Sequence, residues 1–228
     1  MHLGKRTVVQ CSNLGDTLFQ DGNKTMTSLP TLIVLADMPA SALPDAGQRP
    51  ISIVEQKLRI GLESGLPVVL VAPSLIAEEA RAILPGNSIV ELPTADPQRG
   101  PQQAKAIAAG VLSSTHAPGW LLWPTEVGLV EPETLVQLAK AVQQYPMVFP
   151  EYRQQRGQPI GLSSEFYSEL IRLNTEWDLN RLMNRYPALG IEVNDPGVLI
   201  PQDMPFDLPP LATMLPSTEP RYLAALPH

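Results

Sequence analysis

Residues 118–150, PGWLLWPTEVGLVEPETLVQLAKAVQQYPMVFP, contain the pattern of a strand, a loop, a helix and a second strand in succession. Residues 119–123 form a short apolar run that is typical of a buried strand. Pro132 stands in the first turn of the helix, where its missing N–H group leaves no hydrogen bond unmade. A second strand follows at residues 148–149. The buried face of the helix is predicted at Leu135, Leu138, Ala139 and Val142.

The loop that leaves the first of these strands, residues 124–128, is the expected position of a functional site. Parallel sheets bind ligands outside the carboxyl ends of their strands. Glu126 is the one ionisable residue in this loop. A catalytic interpretation of the chain therefore depends on Glu126.

The composition indicates a globular chain with few charges. Of its 228 residues, 44% are hydrophobic and only 17% are charged. The formal net charge of −7 argues against nucleic-acid and anionic-membrane partners, because basic clusters bind such surfaces. The single cysteine, Cys11, excludes an intrachain disulfide. We therefore expect a cytoplasmic protein that binds neither nucleic acid nor membrane.

Apolar runs alternate with helical patterns along the chain. Residues 31–36 (TLIVLA), 67–72 (PVVLVA) and 89–92 predict three further strands, rich in β-branched residues as in a parallel sheet. Residues 101–112 predict an alanine-rich, closely packed helix. Alternation at this spacing predicts a three-layer α/β/α sandwich with a mainly parallel sheet.

Two more helices are predicted in the first half of the chain. The first begins at Ile51 and ends at a C-cap, Gly65. The second has Ser74 as its N-cap. The apolar face of the first helix is predicted at Ile53, Val54, Leu58 and Leu62. That of the second is predicted at Leu75, Ile76, Ala80 and Ile83.

The second half of the chain predicts a strand at residues 158–162 and a helix capped by Ser163 and Ser164 that runs to Leu173. A further helix is predicted at residues 178–186. Residues 190–193 and 198–200 flank Asn194-Asp195-Pro196-Gly197, a strong turn signal, and predict a closing hairpin.

Three regions are expected. Residues 1–28 lack periodicity and predict a flexible extension, in which Met26 is an alternative start to Met1. Residues 29–208 form the predicted domain. Residues 209–228 predict a proline-rich tail.

Several segments resemble, in the correct order, the motifs of one enzyme family. Residues 121–135 are similar to an apolar strand followed by Gly-Asp-Met-Pro and a Pro-Glu-Thr-Leu helix start. Residues 150–159 resemble a P-x-Y…G-x-x-G-H-P segment, and residues 195–208 resemble a D-P-G-V-L-x-D-I-D-T-P-E-D ending. Over roughly residues 31–208, the chain therefore resembles the MobA/MocA-like nucleotidyltransferases of molybdenum-cofactor maturation.

The resemblance implies a Rossmann-like fold of the nucleotide-diphospho-sugar transferase type. It also implies transfer of NMP from CTP or GTP to a molybdopterin-type phosphate acceptor, with Mg²⁺ as cofactor. It places catalytic and metal-binding roles on Glu126 and Asp203. It places nucleotide binding on Leu35, Ala36 and Asp37. It places substrate binding on Arg156, Gln158 and Arg181.

The chain departs from the family pattern at several functional elements. Asp37-Met38 replace the Ala-Gly of the phosphate-binding loop, and the family's following Arg, Gly and Lys are absent. Pro201 replaces the first Asp of the ending, Gln102 to Ala106 replace a Gly-Met-Ser-Ser-Ser loop, and Leu179-Asn180 replace a Gly-Ala pair. Catalysis is therefore expected to be weak or lost. The alternative is a non-catalytic binding or assembly protein that holds a protein partner, an unusual ligand or a second copy of itself.

Several residues have both a functional and a purely structural interpretation. Glu126 and Asp203 are either a Mg²⁺ pair or two solvated loop carboxylates. Lys105 either replaces the missing phosphate-binding lysine or is an exposed helix lysine. Trp120 and Trp123 are expected to pack the sheet. Three arginines form either a small anion site or a set of scattered surface charges: Arg153, Arg156 and Arg181.

Overall fold

The computed structural model describes residues 28–36, 50–93, 103–125 and 127–199. The predicted tail and all but Ser28 of the predicted extension lie outside these ranges. So do three predicted site residues, Asp37, Glu126 and Asp203.

The described residues form eight strands and six α-helices. The strands are β1 (Thr31–Leu35), β2 (Val68–Pro73), β3 (Ile89–Leu92), β4 (Gly119–Pro124), β5 (Met147–Tyr152), β6 (Gln155–Arg156), β7 (Ile160–Ser163) and β8 (Leu189–Glu192). The helices are α1 (Pro50–Glu63), α2 (Ser74–Ala80), α3 (Gln103–Ser113), α4 (Pro132–Val142), α5 (Tyr167–Leu170) and α6 (Glu176–Arg185). None of these helices is both long and apolar enough to cross a membrane.

All eight strands belong to one sheet, in the order β3-β2-β1-β4-β7-β5-β6, and β8 pairs with β5. The first half is parallel, because β1 pairs in parallel with both β2 and β4, and β2 with β3. In the second half β7 runs antiparallel to β4 and β5, whereas β8 is parallel to β5. The parallel half brings the carboxyl ends of β1, β2, β3 and β4 to one edge of the sheet.

A hydrophobic core lies on each face of the sheet, which confirms the predicted three-layer α/β/α fold. Successive residues of β1 alternate between the faces, since Leu32 belongs to one core and Ile33 to the other. The first core contains residues of α1, α2 and α4, and the second contains residues of α3, α5 and α6. Trp123 packs in the first core and Trp120 in the second, both fully buried, as expected of sheet-packing tryptophans.

Helix α4 confirms its sequence pattern in full. Pro132 occupies the first turn, Glu133 lies in that turn and Lys140 lies in the last one. These charges complement the helix dipole. The four predicted core residues, Leu135, Leu138, Ala139 and Val142, are all buried.

The predicted face of α1 is partly wrong. Leu62 is 47% exposed, and the helix turns Gly61 toward the sheet instead. A Cβ atom on Gly61 would lie 2.8 Å from Cδ2 of Leu32, so glycine lets the helix lie close to the sheet without displacing that side chain. Gly65 has a φ of 74° and its N–H donates to the carbonyl of Leu62, which confirms the predicted C-cap.

Two predicted helix caps are also wrong. Helix α2 begins after Pro73, and no side chain caps it. Leu75, predicted on its apolar side, is 64% exposed. Ser163 caps no amide either, and the predicted helix that follows is a 3₁₀ turn leading into the short α5.

The predicted closing hairpin is wrong. Strand β8 pairs in parallel with β5, and residues 196–198 form a 3₁₀ turn rather than a strand. The side chain of Asp195 accepts a hydrogen bond from the N–H of Gly197. A side-chain cap of this kind favours a turn over a hairpin strand.

The N-terminus of α6 gives a pH-dependent prediction. The pKa of Asp178 is lowered from 3.8, chiefly by a hydrogen bond from the hydroxyl of Thr175, in a reciprocal capping box. A lowered carboxyl pKa stabilises the fold above the unfolded-state pKa, and this stabilisation is lost as the pH falls through the folded-state pKa. We expect the stability advantage of the wild type over Asp178→Asn to shrink as urea unfolding is measured from about pH 5 down to about pH 2. A difference that stays constant over this range would contradict the capping role.

Candidate functional site

The carboxyl ends of β1 and β4 lie side by side and define the candidate site. Leu35 pairs with Pro124 across the two strands, and the N–H of Thr125 donates to the carbonyl of Leu35 at 3.0 Å. The N–H of Ala36 donates to the carbonyl of Val71 in β2 at 2.9 Å. Two of the predicted nucleotide-binding residues, Leu35 and Ala36, therefore reach this edge, and both are buried there.

A buried lysine holds the loop that leaves β4, which we call the site loop (residues 124–131). Lys57 of α1 has no exposed surface. Its Nζ donates to the carbonyls of Pro124, Val127 and Gly128 at 3.0, 2.6 and 3.3 Å. It also lies 4.3 Å from the ring centroid of Trp123. Lys57 thus joins α1 to both sides of position 126.

These contacts explain how the interior tolerates an ammonium group. A buried charge is costly unless hydrogen bonds and opposite or polarisable groups compensate it. The three N–H donors of Lys57 meet three carbonyl oxygens, and the face of Trp123 adds a cation–π contact. The ammonium therefore fixes the loop through the backbone.

A buried carboxylate holds the other end of the site loop. Asp195 is 2% exposed, and its two oxygens accept from the N–H groups of Glu131 and Gly197, both at 2.8 Å. A Cβ atom on Gly197 would overlap the carbonyl oxygen of Leu129, so the 3₁₀ turn packs directly on the loop backbone. The loop is thus held by Lys57 from α1 and by Asp195 after β8.

The hydroxyl of Thr125 is an unsatisfied polar group in this loop. Thr125 is 4% exposed, and its Oγ1 atom has no hydrogen-bond partner among the described residues. Buried hydroxyls are normally paired. This hydroxyl is next in sequence to Glu126, at the end of β4.

The predicted metal-binding residues fit a divalent cation by donor type. Glu126 and Asp203 have carboxylate side chains, and Mg²⁺ prefers such oxygen ligands. The described ranges contain no group of three or more His, Cys, Asp or Glu that could hold a metal, and both carboxylates lie outside those ranges.

The predicted acceptor-binding residues each contact a different part of the protein. The guanidinium of Arg156 stacks 3.8 Å from the ring centroid of Phe149, and that of Arg181 lies 5.4 Å from the ring of exposed Trp177. Arg153 lies against a third ring, that of Tyr152. Gln158 is 2% exposed, and its N–H donates to the carbonyl of Val198.

The start of α3 is occupied by one of the protein's own carboxylates. Oε1 of Glu176 accepts from the N–H of Ala104 at 3.0 Å. Lys105, one residue on, is exposed, as expected of an ordinary helix lysine. Glu176 thus takes up an amide that an anionic ligand could otherwise bind.

Sequence reasoning missed Lys57, Thr125 and Glu176, and it assigned Asp195 only to a turn. The burial of Lys57 could have been inferred from its position, because it lies three residues after Val54 and four before Gly61, on the buried face of α1. The other contacts join residues far apart in sequence, so no local pattern indicates them.

The family model that describes the MobA-like NTP transferase domain matches residues 43–193 of this chain. The chain belongs to this family. The match spans every element from α1 to β8, including the site loop, and ends before Asp195 and its turn. No curated protein sequence matches significantly.

Several solved structures share the fold. Rv0371c from Mycobacterium tuberculosis H37Rv is 21% identical, with a TM-score of 0.57 over 73% of this chain and 89% of that one. Its manganese complex gives 22% identity and a TM-score of 0.55, over 73% and 88%. CMP:2-keto-3-deoxy-manno-octonic acid synthetase complexed with CTP is 12% identical, with a TM-score of 0.55 over 78% and 94%.

A cavity of about 400 Å³ lies at the opposite edge of the sheet from the site loop. Residues around the amino ends of β1 and β4 line it, among them Ser28, Pro118 and Ser163. Its distance from the carboxyl edge makes it a useful reference region for experiments that locate a ligand.

Proposed function

We propose that the protein is a divergent nucleotidyltransferase that transfers NMP from CTP or GTP to a phosphate acceptor of the molybdopterin type. The observation that carries this proposal is the site loop, which Lys57 and Asp195 hold on both sides of Glu126. Two buried charged groups in contact with one loop favour a loop whose exact conformation matters.

The metal-binding role falls to Glu126 and Asp203, with the hydroxyl of Thr125, the residue before Glu126 in the sequence, as a further oxygen ligand. When bound, a divalent cation such as Mg²⁺ or Mn²⁺ would neutralise phosphate charge. The manganese complex of Rv0371c and the CTP complex of the synthetase support the use of a metal and a nucleotide by proteins of this fold. Leu35, Ala36 and Asp37 would contact the nucleotide.

Acceptor binding falls to Arg156, Gln158 and Arg181. Both guanidinium groups lie over aromatic rings, and guanidinium groups bind phosphate through their N–H groups. We expect slow transfer, because Asp37 introduces negative charge and the chain lacks the family's phosphate-binding lysine.

Release of pyrophosphate tests the function. Full-length protein with CTP or GTP, Mg²⁺ and molybdopterin should release pyrophosphate slowly, and Glu126→Gln should reduce the rate by about 10- to 100-fold. Glu126→Asp should increase it, because it restores the shorter carboxylate that the family pattern has at this position. Glu133→Gln, a control in the first turn of α4, should leave the rate unchanged. Failure to detect either pyrophosphate or nucleotide binding would reject the proposal.

A non-catalytic binding or assembly protein is the second candidate function. The contact between Glu176 and Ala104 favours it, because a protein carboxylate there competes with an anionic ligand. Trp177, 66% exposed on α6, offers an aromatic contact for a partner protein or a second copy. This function predicts a stoichiometric complex that Trp177→Ala weakens while nucleotide has no effect. A monomer that recovers no partner from native extract would reject it.

We also propose that residues 29–208 form the functional domain and that the protein acts in the cytoplasm, in keeping with its single cysteine. Expression of residues 29–208 alone tests the domain boundary. The fragment should unfold cooperatively and with the same midpoint as the full chain.

A further inference from the structure

Lys57 is a fully buried charged residue to which the proposed reaction assigns no role. Lysine is among the residue types that are least often found in a protein interior. A buried lysine in an otherwise apolar helix face could serve packing alone. Its partners indicate a more specific role.

The bonds of Lys57 converge on one short segment. The carbonyls of Pro124, Val127 and Gly128 all accept from the same ammonium. Three backbone oxygens around one positive group resemble the way in which a loop surrounds a bound cation. These oxygens come from both sides of position 126, so one ammonium contacts the backbone before and after it.

A donor group is required for this arrangement, because an apolar side chain of the same length would remove three hydrogen bonds to backbone carbonyls. The nearby ring of Trp123, 4.3 Å away, also favours a cation over a neutral group. Packing and charge can therefore be separated by experiment.

We propose that Lys57 is a positioning residue of the candidate site. Its buried ammonium acts as a fixed internal cation that sets the conformation of residues 124–125 and 127–128, on either side of position 126, and through them affects metal binding at the site. The metal-binding part rests on the proposed function. The effect on loop conformation does not.

The test uses Lys57→Ala in the full-length protein, with n-propylammonium to replace the atoms removed. 1-Propanol, which has a similar size but no charge, is the control additive. Two quantities are measured: hydrogen exchange at the amides of Thr125 and Val127, and Mn²⁺ affinity in the presence of CTP or GTP. These amides donate to the carbonyls of Leu35 and Pro124 in the wild type.

We expect faster exchange at both amides and an Mn²⁺ affinity weakened by about 10- to 100-fold. n-Propylammonium should reverse both effects and 1-propanol should reverse neither. Leu170→Ala, a control in the core on the other face of the sheet, should lower stability without changing either measurement.

Unchanged exchange in Lys57→Ala, or equal rescue by 1-propanol, would overturn the proposal. A wild type that binds no Mn²⁺ with nucleotide would reject the proposed function and the metal-binding part, while the exchange data still test the loop. Should Lys57→Ala not fold, Lys57→Gln takes its place, because it keeps two N–H donors without charge. Exchange in Lys57→Gln equal to that of the wild type would overturn the role of the charge.

Discussion

Replacing Asp195 with alanine is expected to destabilise the protein by about 3 to 5 kcal/mol. Asp195 is buried and accepts from two backbone amides, those of Glu131 and Gly197. Each hydrogen bond to a charged acceptor contributes about 1.5 to 3 kcal/mol, and the amide of Gly197 would be left buried without a partner. Urea unfolding at neutral pH measures the effect.

Asp195→Asn is the matched comparison. It retains one acceptor oxygen but turns an NH₂ group toward the second amide, so we expect an intermediate loss of about 2 kcal/mol. The loss should be local as well, with faster hydrogen exchange at Glu131. A free energy of unfolding for Asp195→Ala within about 0.5 kcal/mol of the wild type would show that the hydrogen bonds to Asp195 do not hold the site loop.

Gly197→Ala is expected to destabilise the protein by about 3 kcal/mol. A Cβ atom at this position would overlap the carbonyl oxygen of Leu129 and lie 2.9 Å from Oδ1 of Asp195. The obstacle is backbone rather than the end of a flexible side chain, so the turn and the site loop must separate. Thermal and urea unfolding measure the change.

Gly86→Ala provides the control for this substitution. A Cβ atom on Gly86 would meet no other atom within 4 Å, and the φ of Gly86 is not positive, so we expect a change within about 0.5 kcal/mol. Equal effects of Gly86→Ala and Gly197→Ala would mean that loss of glycine flexibility, rather than the close contact with Leu129, determines the result.

The strands and α4 could be predicted from sequence because their signal is local. The run TLIVLA gives β1, and the spacing from Leu135 to Val142 gives the buried face of α4. Strand pairing could not be predicted to the same extent. Residues 189–192 become a parallel partner of β5, and the residues after Asp195 form a turn rather than the second strand of a hairpin.

The face of α1 shows why hydrophobicity alone misplaces a helix. A pattern based on apolar residues selects Leu62, which is exposed, and omits Lys57 and Gly61, which lie on the buried side. A lysine is buried only where partners compensate its charge. Those partners lie 67 to 71 residues away, so the sequence near Lys57 does not show them.

The position of the candidate site could be predicted from the sequence, but the contacts within the site could not. The rule that ligands bind at the carboxyl ends of parallel strands identifies the loop after β4, and the structure places Leu35, Ala36 and Thr125 together there. The roles of Glu126, Asp203 and Asp37 remain predictions that rest on family resemblance.

Paramagnetic line broadening by Mn²⁺ with CTP or GTP, measured on backbone amide signals of the full-length protein, tests the position of the nucleotide site most directly. Broadening should be greatest at Ala36, Thr125 and Val127, at the carboxyl ends of β1 and β4, and Glu126→Gln should weaken it. Broadening centred on Ser28 and Ser163 at the opposite edge, or none at saturating nucleotide, would contradict a nucleotide–metal site at the site loop.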